Sequence, residues 1–309
     1  MDYTGLVSKF KNNRPLSDFE RKHHLKQETQ LDIPLLAQLC VVKMDSNILV
    51  SVDRWFGWRG FCALIGLIGV IIGGYGVIYF ISIIFTDDIS NNNGLLVSVF
   101  ICITMFVGLT GIGFWLTSKE MFCWTYYPII LDRKNRKLHV FRLNGTIMTE
   151  SWDNVYFTIG RTKGAFGILY WDVRGLLFYE DGVTIRETFS FSIVTGNIEN
   201  AYSHWEFLRR YMEFGPQSVL DVVLFCMPVD GKRESFAVSK ERIFANDAHG
   251  PSFIYLTMIP FNYVHAVVRW AVMQTSKIPI FPLEIEVTFR PDPDDKYTRD
   301  ATMNPEDLS

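Results

Sequence analysis

The sequence lacks the short motifs that mark the common enzyme classes. A G-x-S-x-G nucleophile elbow, an H-E-x-x-H zinc helix, a glycine-rich phosphate loop and a kinase signature are all absent. Positive charge is not in surplus either: the 309 residues carry a formal net charge of −3, which excludes a strongly basic nucleic-acid-binding protein. We therefore expect that the protein is not an enzyme and has no catalytic residues. We also expect no cofactor, metal or nucleic-acid partner.

Cysteine is also scarce. The sequence contains five cysteines at irregular spacings, and no C-x-x-C pair: Cys40, Cys62, Cys102, Cys123 and Cys226. An odd number without paired spacing predicts neither a disulfide framework nor a zinc site. We expect the thiols to face a reducing compartment.

Charge is missing from two long stretches. Phe61 to Thr86 gives 26 uncharged residues and Gly94 to Ser118 gives 25 more. Each stretch exceeds the ~20 residues that cross a ~30 Å hydrocarbon layer as a helix, so two transmembrane helices are expected. A signal peptide would lie nearer the N-terminus, and a buried core hairpin is the alternative that remains. The mean hydropathy of +0.13 is then an average over a membrane part and a soluble part.

Neither apolar stretch contains an ionisable residue, which disfavours a channel or a pump. Gly69 and Gly73 form a G-x-x-x-G pattern in the first stretch, and Gly108 and Gly111 lie in the second. Small residues at this spacing let two helices approach closely in lipid. These glycines predict helix packing, either within one chain or between copies, so self-association stays open.

The charges around the two stretches predict their orientation. The connection from Asp87 to Asn93 is short, acidic and free of Lys and Arg, whereas basic residues flank the outer ends of both stretches. By the positive-inside rule both termini face the cytoplasm. Aromatic and basic residues are expected at the same membrane interface, and these are Trp55, Trp58, Arg59, Trp115, Lys119 and Trp124.

After the second apolar stretch, apolar and polar residues alternate with a period of two, as they do in β-strands. About six or seven antiparallel strands are predicted over residues 127 to 194, with hairpin turns at Asn144-Gly145 and Asp181-Gly182, and an amphipathic helix follows over Glu199 to Phe214. This order predicts an α+β domain, an antiparallel meander or barrel of pleckstrin-homology type closed by one helix. Phe261 to Thr275 is a second amphipathic helix candidate.

The N-terminal segment carries weaker signals. Ser17 to Glu20 forms a capping box before a helix expected to run to about Gln30, and Cys40 to Asp53 suits a small hairpin. The predicted organisation is a cytoplasmic segment over 1–59, a transmembrane hairpin over 60–118, a β-rich cytoplasmic domain with C-terminal helices over 119–289, and a disordered tail over 290–309.

Aromatic residues and arginines are dense after the strands begin. Such residues are enriched where proteins bind partners, although they are also ordinary core and rim residues. The candidate partner-binding residues are Tyr170, Trp171, Asp172, Arg174, Trp205, Arg209 and Arg210.

A group of basic residues near the membrane would attract anionic lipid, namely Arg133, Lys134, Arg136 and Lys137. Glu284 and Glu286, with Asp172, are acid or base candidates for an enzyme, but no histidine or metal motif accompanies them.

Several short segments, spread over most of the chain, form a recognisable set. They are W-R-G from Trp58, the stretch Asp132 to Arg136, Asn144-Gly145, Trp152 to Val155, Y-W-D-V-R-G from Tyr170, W-E-F-L-R-R-Y-M-E from Trp205 and I-P-I-F-P-L-E from Ile278. Together they resemble a family of uncharacterised bacterial two-span inner-membrane proteins. Genes of that family commonly lie near type VI secretion effectors and Rhs or polymorphic toxins. The resemblance implies an immunity or accessory protein whose partner is a cognate toxin. A lipid-sensing or envelope-scaffolding module is the alternative.

Overall fold

The structure, a computed structural model, describes residues 10–37, 39–85, 93–164, 167–247, 252–282, 285 and 294–308. The chain forms two compact units. The first unit comprises Met1–Gly57, Trp124–Val238 and Ile278–Ser309, and the second comprises Trp58–Cys123 and Ser239–Lys277. The chain therefore leaves the first unit twice and returns to it twice.

One antiparallel sheet of the first unit has five strands in the order β2-β3-β4-β5-β6. The strands are β2 (Val41–Met44), β3 (Ile48–Ser51), β4 (Ile129–Asp132), β5 (Lys137–Phe141) and β6 (Ile147–Ser151). The predicted Asn144-Gly145 turn joins β5 to β6, with Gly145 at φ 81°. Because β3 pairs with β4, Ile48 opposite Asp132, the N-terminal segment is part of this sheet. The small hairpin predicted over Cys40 to Asp53 is present as β2 and β3, and it belongs to the first unit rather than to a segment apart from it.

A second antiparallel sheet of the first unit has four strands in the order β1-β7-β8-β9. They are β1 (His24–Leu25), β7 (Tyr156–Lys163), β8 (Leu169–Phe178) and β9 (Ile185–Thr195). The predicted Asp181-Gly182 turn joins β8 to β9. Over the described residues the strands form two open sheets and not a closed barrel, so the α+β prediction is confirmed and the barrel is not.

Two helices complete the described part of the first unit near these sheets. The capping box is present at α1 (Asp18–Lys22), where the Ser17 and Glu20 side chains bond each other's backbone N–H groups. This helix ends earlier than expected because the next residues pair with β7. The predicted amphipathic helix is α4 (Ile198–Phe214), and its buried Trp205 stacks on Trp152 with ring centroids 5.7 Å apart.

The second unit contains the long helices. These are α2 (Phe61–Ile84) and α3 (Asn93–Ser118), both long and apolar enough to cross a membrane, and α6 (Ser252–Thr275). A shorter helix without a sequence prediction, α5 (Phe236–Asp247), begins at the end of the first unit. Because α6 belongs with the hairpin, the predicted domain over 119–289 is split. Helix α6 also begins nine residues earlier than expected and contains Pro260.

The C-terminal residues 294–308 pack on the first unit. Arg299 pairs with Met44 of β2, and the Asn304 side chain bonds both the N–H and the C=O of Cys226 at 3.0 and 2.6 Å. The prediction of a disordered tail over 290–309 is therefore wrong for these residues, because side-chain capping of distant backbone groups holds them. Residues 290–293 and 309 lie outside the described residues, as do Glu284 and Glu286.

Candidate functional site

A buried ionic network lies on the four-stranded sheet around Asp172. Arg174 donates to this carboxylate through Nε and Nη2 at 2.8 and 2.9 Å, and the Ser190 hydroxyl donates at 2.8 Å. The Arg54 guanidinium lies 3.4 Å away, and both guanidiniums donate to Thr162 Oγ1. Asp172 and Arg174 form an ion pair, and the carboxylate of Asp172 is completely buried.

This network is charged at every physiological pH. Burial alone would raise the pKa of Asp172, but the charges of Arg174 and Arg54, with the hydrogen bonds, lower it to about 2. Gly160, opposite Asp172 on β7, leaves the space that the Arg174 guanidinium occupies. A permanently ionised, fully hydrogen-bonded carboxylate is suited to holding strands together rather than to proton transfer.

Three of the candidate partner-binding residues are buried. Asp172, Trp205 and Arg209 have between 0% and 1% of their surface exposed. These three cannot contact a partner directly in this fold, so that prediction is wrong for them. Tyr170 and Trp171 are half-buried at the start of β8, and Arg174 and Arg210 are largely occupied by intramolecular ion pairs.

A second buried ionic network fixes the loop of residues 31–36 on α4. Glu206 accepts from both Arg209 and Arg210, and also from the Leu31 N–H at 3.1 Å. At the other end of the loop, Leu36 donates its N–H to the Ser203 carbonyl, and His204 Nδ1 donates to the Leu36 carbonyl at 3.0 Å. Burial lowers the pKa of His204 to about 4, so the imidazole is neutral near pH 7. The loop is thus held at both ends.

Between these two ends the loop and the first turns of α4 enclose a groove of about 480 Å³. Half-buried Leu31, Ile33, Leu35 and Leu36 supply most of its apolar lining. The charged residues along it, Asp32 and Glu199, are both acidic and exposed. The groove therefore suits an apolar segment that carries positive charge.

A row of half-buried rings leads from β8 to this groove. Trp171 stacks on Phe19 at 5.9 Å, Phe19 lies 4.3 Å from the His23 ring, and His23 Nδ1 is hydrogen-bonded to the hydroxyl of Tyr202, which lines the groove, at 2.8 Å. The exposed Arg161 guanidinium lies over Phe19 at 5.1 Å. We call these five residues the aromatic face.

The glycines of α2 do pack against α3. A Cβ on Gly73 would overlap Thr110, and one on Gly69 would be in ordinary contact with Gly113. Gly66 and Gly76 also approach α3 closely, although they lie outside the G-x-x-x-G pattern. A Cβ on Gly108 or Gly111 would meet no atom within 4 Å, so these two glycines do not pack against α2, and their packing between copies stays a prediction.

The residues predicted at the membrane interface fall into two groups. Trp58 and Trp115 are 44% and 48% exposed, and Lys119 lies over the Trp115 ring at 5.0 Å. Trp55 and Trp124 are partly buried against Phe141 and its neighbours in the first unit, and Arg59 is fully buried in the second. The interface prediction is therefore wrong for Arg59.

Arg59 belongs to a buried charge cluster at the ends of α2 and α3. Glu120 accepts a hydrogen bond from the Ala63 N–H at 2.9 Å, at the start of α2. Burial raises the pKa of Glu120, while the nearby charges of Arg59 and Arg269 act in the opposite direction. This cluster connects α6, which carries Arg269, with the hairpin.

Two of the four basic residues predicted to bind lipid make contacts within the protein instead. Arg136 pairs with Asp153 and Glu213 at 2.6 and 3.0 Å, and Arg133 donates to the Ser46 carbonyl at 3.3 Å. Lys134 and Lys137 are the exposed members. The charge available to an anionic surface is smaller than the sequence indicated.

The comparisons with known proteins place the chain in one family. Residues 106–293, about three fifths of the chain, match a family of unknown function, DUF6708. The chain belongs to the DUF6708 family. No curated protein matches the chain, and no solved structure matches it. The family region begins inside α3 and includes β4–β9 and α4–α6. It therefore contains both buried ionic networks, but not Arg54 of the first network or the 31–36 loop of the second.

Sequence reasoning missed the groove and most of the aromatic face. Phe19 lies in α1 and His23 directly follows it, whereas Tyr202 lies in α4, which is distant in sequence. The available signal was the apolar run Ile33 to Leu36, which contains Pro34 and is too short for a membrane or core helix. Among the described residues, no group of three His, Cys, Asp or Glu side chains is placed to hold a metal ion.

Proposed function

We propose that this DUF6708 protein is a membrane-anchored interaction protein. Helices α2 and α3 cross a bilayer as a hairpin, and the first unit binds a protein partner on one side. The observation that carries the anchor is the outer surface of the hairpin. Only 28% of the apolar window in α2 and 6% of that in α3 are buried, whereas a core helix of a soluble protein is mostly buried.

The connectivity and the basic residues together support the proposed topology. The first unit is one compact fold assembled from three chain segments, so each excursion from it crosses the bilayer an even number of times. The hairpin supplies two crossings between Gly57 and Trp124. With the basic residues outside the hairpin, this favours a multi-pass protein with both termini in the cytoplasm. The family resemblance implies that the membrane is the bacterial inner membrane.

The partner surface in this proposal is the aromatic face together with the groove. Rings and an arginine on a contiguous half-buried surface are the side chains that dominate protein–protein binding. The acidic residues of the groove favour a basic, apolar segment of the partner. The family resemblance supplies the partner's class, a cognate toxin, and the role is then immunity or an accessory function.

Co-expression with the product of the neighbouring gene, the toxin that the resemblance implies, tests this function. The wild-type chain should restore growth and co-purify with the toxin. Leu35→Asp, in the groove, should abolish both, whereas Leu224→Asp, an equal change at a side chain that is 85% exposed elsewhere on the first unit, should not. Absence of rescue and of co-purification by the wild-type chain would contradict the proposal.

A further inference from the structure

Helix α6 shows the reverse of the pattern expected for a helix facing water. Apart from Thr257 and Pro260, the exposed side chains described for α6 are large and apolar or aromatic: Phe253, Leu256, Met258, Phe261, Tyr263, Val264, Val267 and Trp270, each between 37% and 77% exposed. Three of its polar side chains, Asn262, His265 and Arg269, are at most 3% exposed, and Gln274 is half-buried. Water favours the opposite arrangement, so something apolar must cover the outer side.

The inner side of α6 is held on the start of α2. The Gly60 backbone approaches Arg269 so closely that a Cβ there would lie 2.7 Å from the Arg269 Cα. The Phe61 and His265 rings meet edge to face at 5.9 Å. The positive charge of Arg269, like that of Arg59, acts to lower the pKa of Glu120. The exposed apolar side of α6 is therefore continuous with the first turn of a proposed membrane span.

The connectivity excludes a third crossing by α6. The excursion over Ser239–Lys277 leaves the first unit and returns to it, so it must cross an even number of times. Helix α5 has 12 residues, including Lys240, Glu241 and Arg242, and is too short and too charged to cross. Helix α6 cannot then cross alone.

From these observations we infer that α6 is a membrane-embedded helix that does not span the bilayer. It lies within one leaflet, with its apolar side against lipid acyl chains and its polar side against the hairpin. The anchor is then a three-helix membrane domain. This inference rests on the proposed hairpin, and its test must separate the two.

Spin-label accessibility in liposomes makes that separation. In the full chain with its five cysteines replaced by alanine, a nitroxide is attached at Val264→Cys or Leu256→Cys. The lipid reference is Val107→Cys, at a side chain of α3 that is 53% exposed, and the water reference is Lys134→Cys, on the first unit. We expect both α6 labels to collide with oxygen more than with a water-soluble nickel chelate, as the Val107 label does.

Each of the other outcomes would overturn either the α6 inference alone or the α6 inference together with the hairpin proposal. If the α6 labels match the Lys134 label while the Val107 label stays in lipid, the α6 inference is wrong and the hairpin stands. Low collision with both reagents at α6 would indicate a protein cover and also overturn the inference. If the Val107 label matches the Lys134 label, the hairpin and α6 proposals both fail.

A second measurement does not depend on removing cysteines. Trp270→Phe leaves the other seven tryptophans, so the fluorescence difference from the wild type reports Trp270. Lipids brominated on the acyl chain should quench this difference signal, and aqueous acrylamide should not. Quenching by acrylamide alone would overturn the inference.

Discussion

Replacing Asp172 by asparagine is the most informative change in the first unit. The carboxylate is fully buried and has two guanidiniums within 3.4 Å, so Asp172→Asn leaves two buried positive charges without their counter-charge. Removing one partner of a buried ion pair costs about 3–5 kcal/mol. We expect the free energy of unfolding at pH 7 to fall by that amount.

The pH dependence gives this prediction a second observable. Because the folded-state pKa of Asp172 is about 2, below its ordinary 3.8, the carboxylate stabilises the fold fully above about pH 4. That contribution, roughly 2 kcal/mol from the size of the shift, is lost as the pH falls towards 2. The variant has no carboxylate at position 172. The difference in the free energy of unfolding between the wild type and the variant should therefore become smaller as the pH falls over the same interval.

Pulse proteolysis of the full chain in detergent, over a urea series, measures both quantities. Asp18→Asn is the control, since this exposed aspartate makes one surface ion pair with Arg21 and should cost less than about 1 kcal/mol. A loss below 1 kcal/mol for Asp172→Asn, or a gap that does not change with pH, would refute the electrostatic account of this network.

Two further substitutions test packing and the fixed loop. Gly73→Ile should cost about 1–3 kcal/mol of hairpin stability because Thr110 occupies the space, while Gly108→Ile should have little effect; the midpoint of SDS-induced unfolding measures this, and equal midpoints would count against the packing. Glu206→Gln removes the charge opposite two arginines and should speed chymotrypsin cleavage within residues 31–36, whereas Glu199→Gln, exposed on the same helix, should not; an unchanged rate would show that Glu206 does not fix the loop.

Local structure could be predicted because its causes lie within a few residues. The Ser17–Glu20 capping box, the Asn144-Gly145 and Asp181-Gly182 turns and the helix beginning beside Asn197 each satisfy backbone groups nearby. The two apolar helices followed from length alone. These features gave the α+β class correctly.

Long-range pairing could not be predicted. β3 and β4 are separated by the whole helical hairpin, and nothing in either strand specifies the partner, so the sequence does not show that the N-terminal segment joins this sheet. The contact face of α3 was equally hidden, because a helix that is apolar all round shows no preferred side, and Gly113 rather than Gly108 or Gly111 meets α2. The groove depends on Glu206 bonding Leu31, 175 residues away.

Alkaline carbonate extraction of membranes containing the full chain tests the central claim most directly. Integral membrane proteins stay in the pellet, whereas peripheral and soluble proteins are released. The account predicts that the wild-type chain stays in the pellet, because α2 and α3 place two long apolar surfaces in lipid. Release of the folded chain into the supernatant would contradict the membrane anchor.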